Sequence, residues 1–260
     1  MTEADLLELA LALAEAERSR VPLSPLTSRF PSMTVSDAYQ IQRLNIQRRL
    51  EAGCTVRGHK IGLTARAMQQ LFGVFEPDYG HLLDDMFLLE NTDVKLDRFI
   101  SPRIEIETAF ILGKSLKGPG VTVADAIRAV EWIVPSIEII DSRIDSWQIK
   151  LPDTIADNGS SAAVILGGHP LRLTDVDLRN LDASLAVNGV VVETGNTSAV
   201  LGNPLSALAW LTNALGLRGV HLEEGHVVLP GTCIRAVALE RGMSVIGHFE
   251  VLGDVKVDIV

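Results

Sequence analysis

Two spacings of apolar residues divide the chain. Through the first 50 residues they recur at helical intervals. Thr2-Glu-Ala-Asp5 reads as a capping box ahead of an apolar run at 6–16, and Thr34-Val-Ser-Asp37 opens a second helix with Ala38, Ile41, Leu44 and Leu50 on one side. Gly53 is placed to end that helix. Between the two, Pro22, Pro25 and Pro31 predict an extended segment, because proline lacks an amide donor and restrains the residue before it. From about residue 55 the pattern changes to short apolar runs punctuated by Gly, Asn, Asp and Pro. These predict strands at 103–112, 136–140, 162–166, 226–229, 233–239, 244–251 and 255–259, with Asn188-Gly189 turning a hairpin between 184–187 and 190–193. Two helices interrupt them: 122–132 behind Thr122 and Asp125, and 204–215 with Asn203 as cap, Pro204 at its first position and Gly216 just past its end. Strands with scattered helices make an α+β fold, organised as a helical lead over 1–75 and a strand-rich body over 76–260.

Composition narrows what such a fold can do. Among 260 residues, 23 Lys and Arg face 33 Asp and Glu, a net charge of −10. No basic block is present to displace counterions from a nucleic acid, so that partner is excluded. A small anionic substrate then requires positive charge concentrated at one site, for instance by a metal. Cys54 and Cys233 match no disulfide framework or zinc spacing and read as idle thiols. Glu3, Asp5 and Glu8 stand where a signal peptide would be basic, and the long uncharged stretch 194–217 is broken by Gly, Asn and Pro. The expectation is a cytoplasmic protein with no membrane segment. Phosphate loops and a G-x-S-x-G elbow are missing from the sequence, and His81, His169, His221, His226 and His248 show no pairwise metal spacing.

The chemistry concentrates in the strands. In Arg103-Ile-Glu-Ile-Glu-Thr-Ala-Phe-Ile-Leu112, Glu105 and Glu107 share one face, about 7 Å apart, among otherwise apolar neighbours. At an effective dielectric near 20 their repulsion is about 2 kcal/mol, so a covered face calls for a divalent cation, whereas a wet strand end does not. Glu138 lies inside another apolar strand, and across the sheet it would complete an oxygen-rich cluster suited to Mg²⁺ or Mn²⁺. Asp141 and Arg143, just beyond, read first as a loop ion pair. In Gly58-His-Lys-Ile-Gly62 the glycines permit close backbone approach around Lys60, whose burial would lower its pKa; a surface lysine is the alternative. His59 faces the other way and reads as structural. The polar run 153–161 serves either as an ordinary turn or as a carboxylate-binding segment.

Taken together, G-H-K-I-G-L-T (58–64), E-P-D-Y-G (76–80), P-R-I-E-I-E (102–107), I-E-I-I-D-S-R-I (137–144), D-T-I-A-D-N-G-S-S (153–161) and G-N-P (202–204) resemble the 2-hydroxypenta-2,4-dienoate (2-oxopent-4-enoate) hydratases of aromatic meta-cleavage pathways. These belong, with the 4-oxalocrotonate decarboxylases, to the fumarylacetoacetate hydrolase superfamily. The resemblance runs from Thr34 to the end. It implies a mixed β-roll or sandwich that carries the metal, behind a smaller α/β lead. It assigns Glu105, Glu107 and Glu138 as ligands of Mg²⁺ or Mn²⁺, Lys60 and Asp78 as catalytic residues, and Ser160 to substrate binding. Gly159 departs from the family's usual alanine, which predicts a looser loop around Ser160. The resemblance further implies a small 2-hydroxydienoate substrate, a pentamer-based homo-oligomer and association with the pathway decarboxylase. Three other readings stand beside hydration. Decarboxylation of 2-oxo-3-hexenedioate would need a cationic pocket for a second carboxylate. Carbon–carbon hydrolysis and a non-catalytic structural role in a hydratase–decarboxylase complex are the others.

Overall fold

Threonine–aspartate boxes start both long helices of the lead. The computed structural model describes residues 1–65, 69–70 and 73–260. In it α1 (Glu3–Ser19) begins where the Asp5 amide donates to Thr2 Oγ1 at 3.2 Å and the Thr2 amide returns a bond to Asp5 at 3.0 Å. The proline-rich segment is not wholly extended. Its α2 (Leu26–Arg29) is a single turn, anchored because the Thr27 amide and hydroxyl donate to the Asp153 carboxylate at 2.9 and 2.8 Å. Helix α3 (Val35–Glu51) repeats the box at Thr34 and Asp37. Its buried side is Ala38, Ile41, Gln42 and Ile46, and Leu50 is exposed.

Two sheets follow. The strands are β1 (Val56–Gly62), β2 (Asp78–Leu83), β3 (Phe87–Leu88), β4 (Asp93–Val94), β5 (Arg103–Leu112), β6 (Val130–Ile140), β7 (Ser161–Leu166), β8 (Asp182–Val187), β9 (Val190–Asn196), β10 (Val227–Leu229), β11 (Val237–Ala238), β12 (Ser244–Phe249) and β13 (Gly253–Ile259). The larger sheet runs β2-β1-β10-β5-β6-β7-β3, with β11 also pairing β5; the smaller runs β4-β13-β12-β8-β9. Parallel pairs (β1 with β10, β3 with β7) interrupt an otherwise antiparallel larger sheet. Ile104, Ile106 and Phe110 of β5 share one core with Val245, Phe249, Val255 and Val257 of the smaller sheet. This is the mixed sandwich of an α+β protein. The lead contributes β1 to the larger sheet and keeps its own core of Leu6, Leu9, Leu13 and Ile41 against Ile155.

Three expectations change. Helix α4 (Val123–Ala129) stops short of 132, because Val130 to Trp132 enter β6 to match the ten residues of β5. The 233–239 strand shrinks to β11, since 231–234 bends around the Glu107 side chain and the Ile106 carbonyl. Gly216 is the last residue of α6 (Pro204–Gly216) and not its stop; a Cβ there would meet the backbone of Gly118 at 2.3 Å. The Asn188-Gly189 hairpin forms as expected, with φ of 50° and 80°. Among the described residues no helix is long and apolar enough to cross a membrane.

Candidate active site

Register builds the site. Glu105 sits directly opposite Glu138 in the β5–β6 pair, and Glu107 lies two residues further along β5. Carboxylate oxygens of all three lie within 4.8 Å of one another. Glu107 and Glu138 are buried, at 1% and 0% exposure, and Glu105 is partly exposed. Like charges directly opposite across a ladder repel, so the fold must compensate. It does so only in part. Ser161 Oγ donates to Glu138 Oε1 at 2.8 Å, and the Gly231 amide donates to Glu107 Oε2 at 2.5 Å. Glu138 Oε2 has no hydrogen-bond partner, with Lys60 Nζ 3.6 Å away. Burial and mutual repulsion push the Glu107 carboxyl well up, and burial foremost raises Glu105 to about 7. Three oxygen donors, one of them orphaned, fit a hard divalent cation.

Lys60 reaches this cluster because its flanking glycines let β1 close in. A Cβ on Gly58 would fall 1.8 Å from the Val227 carbonyl oxygen, and one on Gly62 would fall 2.1 Å from Asp78 Oδ1. The ammonium donates to the Gly159 carbonyl at 3.1 Å. Burial alone would lower its pKa as the sequence suggests. The facing carboxylates, Glu138 first and then Glu105, Asp78 and Glu107, outweigh burial and raise it. Asp78, opposite Gly62 in the β1–β2 pair, is buried, and burial raises its carboxyl against the pull of Lys60.

The polar run 153–161 forms α5 (Leu151–Ala156) and a tight turn, and most of its groups are clamps. Asp153 holds Thr27. Asp157 pairs with Arg143, whose Nη2 also donates to the Asp157 carbonyl at 2.5 Å, and the Asn158 side chain bonds both backbone groups of His81 at 2.8 and 2.9 Å. Arg143 therefore does not pair with Asp141, which instead accepts the Ile100 and Ser101 amides at 2.8 and 2.7 Å. The loop around Gly159 is pinned on both sides. Gly159 sits at φ +62°, and an added Cβ would lie 3.2 Å from Lys60 Cδ. Ser160 is buried, its hydroxyl 3.3 Å from that of Thr154.

A cavity of about 310 Å³ joins these groups. Lys60, Asp78, Glu105 and Ser160 line it together with Arg103 and Trp147. Glu107 and Glu138 are not among its lining residues but adjoin Glu105. A larger cavity of about 440 Å³, between α1, α3 and the start of β7, holds none of the three glutamates. Sequence reasoning missed Ser161 and Gly231, which bond the carboxylates, and Arg103 and Trp147. Of these, Arg103 left a signal, two residues before Glu105 on the same strand face. His59 is buried with its ring 4.7 Å from that of His81, and Cys54 and Cys233 are free thiols.

Residues 76–260 match the fumarylacetoacetate (FAA) hydrolase C-terminal family. The chain is 42% identical over 240 residues to the 2-oxo-hept-4-ene-1,7-dioate hydratase of Escherichia coli, covering 90% of each. It is 39% identical over 251 residues to a 2-keto-4-pentenoate hydratase of Paraburkholderia xenovorans (strain LB400), covering 96% of this chain and 93% of that one. Among solved structures, 4-oxalocrotonate decarboxylase from Pseudomonas putida G7, complexed with magnesium and adipate, superposes with a TM-score of 0.96 at 36% identity, over 100% of this chain and 99% of that one.

Proposed function

The chain belongs to the fumarylacetoacetate hydrolase family, and we propose that it is a divalent-metal-dependent hydratase of aromatic meta-cleavage catabolism. In this reading it adds water to 2-hydroxypenta-2,4-dienoate (2-oxopent-4-enoate) to give 4-hydroxy-2-oxopentanoate. The observation that carries the reading is the cluster of Glu105, Glu107 and Glu138 beside Lys60 and Asp78, at one pocket. The carboxylates would hold Mg²⁺ or Mn²⁺, which when bound acts as a Lewis acid toward the substrate's 2-oxygen.

The chain's own groups then divide the proton work. Ketonisation moves the enol proton to C5 and leaves a 3-ene conjugated to the 2-oxo group. Water adds its hydroxyl at C4 and its proton at C3. Lys60, kept as an ammonium by the carboxylates around it, donates hydrogen bonds and offsets negative charge. Asp78, whose carboxyl burial raises against the pull of Lys60, takes up and returns the proton. Ser160, which lines the same pocket, orients the substrate.

The test is the product formed from freshly generated 2-hydroxypenta-2,4-dienoate with Mg²⁺. The reading predicts 4-hydroxy-2-oxopentanoate and no CO₂. Decarboxylation is the second reading, favoured by the cationic Arg103 in the pocket; CO₂ release from 2-oxo-3-hexenedioate, with no hydration of the pentadienoate, would establish it instead. We further propose a cytoplasmic homo-oligomer that associates with the pathway decarboxylase. Val190, Val191 and Val192 support an assembly, lying 65%, 57% and 44% exposed on the edge strand β9. Sedimentation would show a species well above the 28.1 kDa of one chain.

A further inference from the structure

One turn supplies three contacts to the site. Between α5 and β7, the Gly159 carbonyl accepts from Lys60 Nζ at 3.1 Å, Ser160 lines the pocket, and Ser161 Oγ donates to Glu138 Oε1 at 2.8 Å. The backbone that presents them is left-handed at three successive residues. Asn158, Gly159 and Ser160 stand at φ of 56°, 62° and 55°. Glycine adopts that conformation freely and asparagine tolerates it, but serine enters it only where its surroundings impose it. The turn therefore needs a brace.

Arg143 is placed to be that brace. It is buried, and it lines the 440 Å³ cavity between α1, α3 and the start of β7, not the active-site pocket. Its guanidinium ties both ends of the turn. Nη2 donates to the Asp157 carbonyl at 2.5 Å, Nη1 donates to the Ser161 carbonyl at 3.2 Å, and Nε pairs with the Asp157 carboxylate. The Arg143 amide donates to that carboxylate as well, at 3.0 Å. Three nitrogens in one rigid plane fix the spacing of the two carbonyls, which a single ammonium cannot do. From there the path to the cluster is one residue long. Arg143 holds the Ser161 backbone, and the Ser161 hydroxyl occupies Glu138 Oε1, leaving the orphaned Oε2 to face a cation. We propose that Arg143 is a positioning residue for both the metal cluster and Ser160, acting through the 157–161 turn. This rests on the assignment of the three glutamates to a divalent cation in the reading above.

The neighbouring cavity provides the test. Arg143→Ala leaves a guanidinium-shaped space beside a cavity of about 440 Å³, which a soluble guanidinium ion can enter. In calorimetry this variant binds Mg²⁺ roughly tenfold to a hundredfold more weakly than the wild type. With freshly generated 2-hydroxypenta-2,4-dienoate its kcat falls roughly tenfold to a hundredfold. Millimolar guanidinium chloride restores both saturably, and ammonium chloride at equal ionic strength restores neither. Arg143→Lys keeps a cation beside Asp157 and guards against a failure to fold. It cannot span both carbonyls, so it shows the same two losses, and guanidinium does not reverse them because the space is filled. Wild-type Mg²⁺ affinity and kcat in Arg143→Lys overturn the proposal. So does guanidinium that raises the melting temperature of Arg143→Ala without restoring Mg²⁺ binding, since that is a structural role alone. A wild type that turns over no dienoate, yet loses Mg²⁺ affinity in Arg143→Ala and regains it with guanidinium, refutes the hydratase reading and upholds the positioning role.

Discussion

Glu107 is held where burial and two neighbouring carboxylates all oppose its charge, with the Lys60 charge and one backbone amide in partial compensation. A group kept under those terms earns its place through what it binds. Glu107→Gln is expected to weaken Mg²⁺ binding by roughly a hundredfold or more, while the metal-free variant melts no lower than the wild type because repulsion is relieved. Calorimetry and thermal melting check both halves, and undiminished Mg²⁺ affinity would refute the assignment. Lys60→Met should bind Mg²⁺ yet lose roughly 10²- to 10⁴-fold in kcat, since it removes the positive charge beside the reacting atoms; near-normal turnover would exclude Lys60 from the chemistry. At this scale strand parity put Glu105 and Glu107 on one face, Glu138 stood out as a carboxylate inside an apolar strand, and the family resemblance assigned all three to the metal. The sign of the Lys60 shift was not legible, because it depends on Asp78, Glu105, Glu107 and Glu138, which only the sheet brings together. Arg143 teaches the same lesson: Asp141 is two residues away, but Asp157, fourteen away, holds the better geometry.

At the scale of elements, capping boxes and the Asn188-Gly189 hairpin were readable because their determinants are local. The junction of α4 and β6 was not. Residues 130–132 follow helical spacing, and only pairing with β5 makes them strand. The histidines behind β1 are another product of pairing: His59 faces His81 across β1–β2, and His226 precedes β10. Burial holds His81 down at about 4, against the pull of Asn158, and lowers His59 and His226 as well. The unfolded chain therefore binds more protons than the folded one as pH falls from about 6.5 to about 4, so these groups remove stability over that window. His81 alone accounts for a loss on the order of 3 kcal/mol. In Mg²⁺-saturated protein, thermal midpoints should fall less steeply between pH 6.5 and 4 for His81→Asn than for the wild type. Parallel curves would contradict the assignment.

Across the whole molecule, a net charge of −10 and an acidic cluster make an unpromising receptor for an anionic dienoate, unless positive charge is gathered at one place. The fold gathers it. The larger sheet carries the carboxylates on β5 and β6, with Lys60 on β1 beside them, and Arg103 lines the same pocket. A divalent cation bound among the glutamates would offset most of the negative charge that the substrate meets. The central claim is thus that turnover belongs to this cluster and its metal. It is tested most directly by following the ultraviolet absorbance of freshly generated 2-hydroxypenta-2,4-dienoate with protein and Mg²⁺, then with EDTA, then with Mg²⁺ restored. The account predicts loss of the dienol absorbance with Mg²⁺, arrest by EDTA and recovery on readdition, with 4-hydroxy-2-oxopentanoate as product. Loss that proceeds unchanged in EDTA, or no loss by protein shown to bind Mg²⁺, would contradict it.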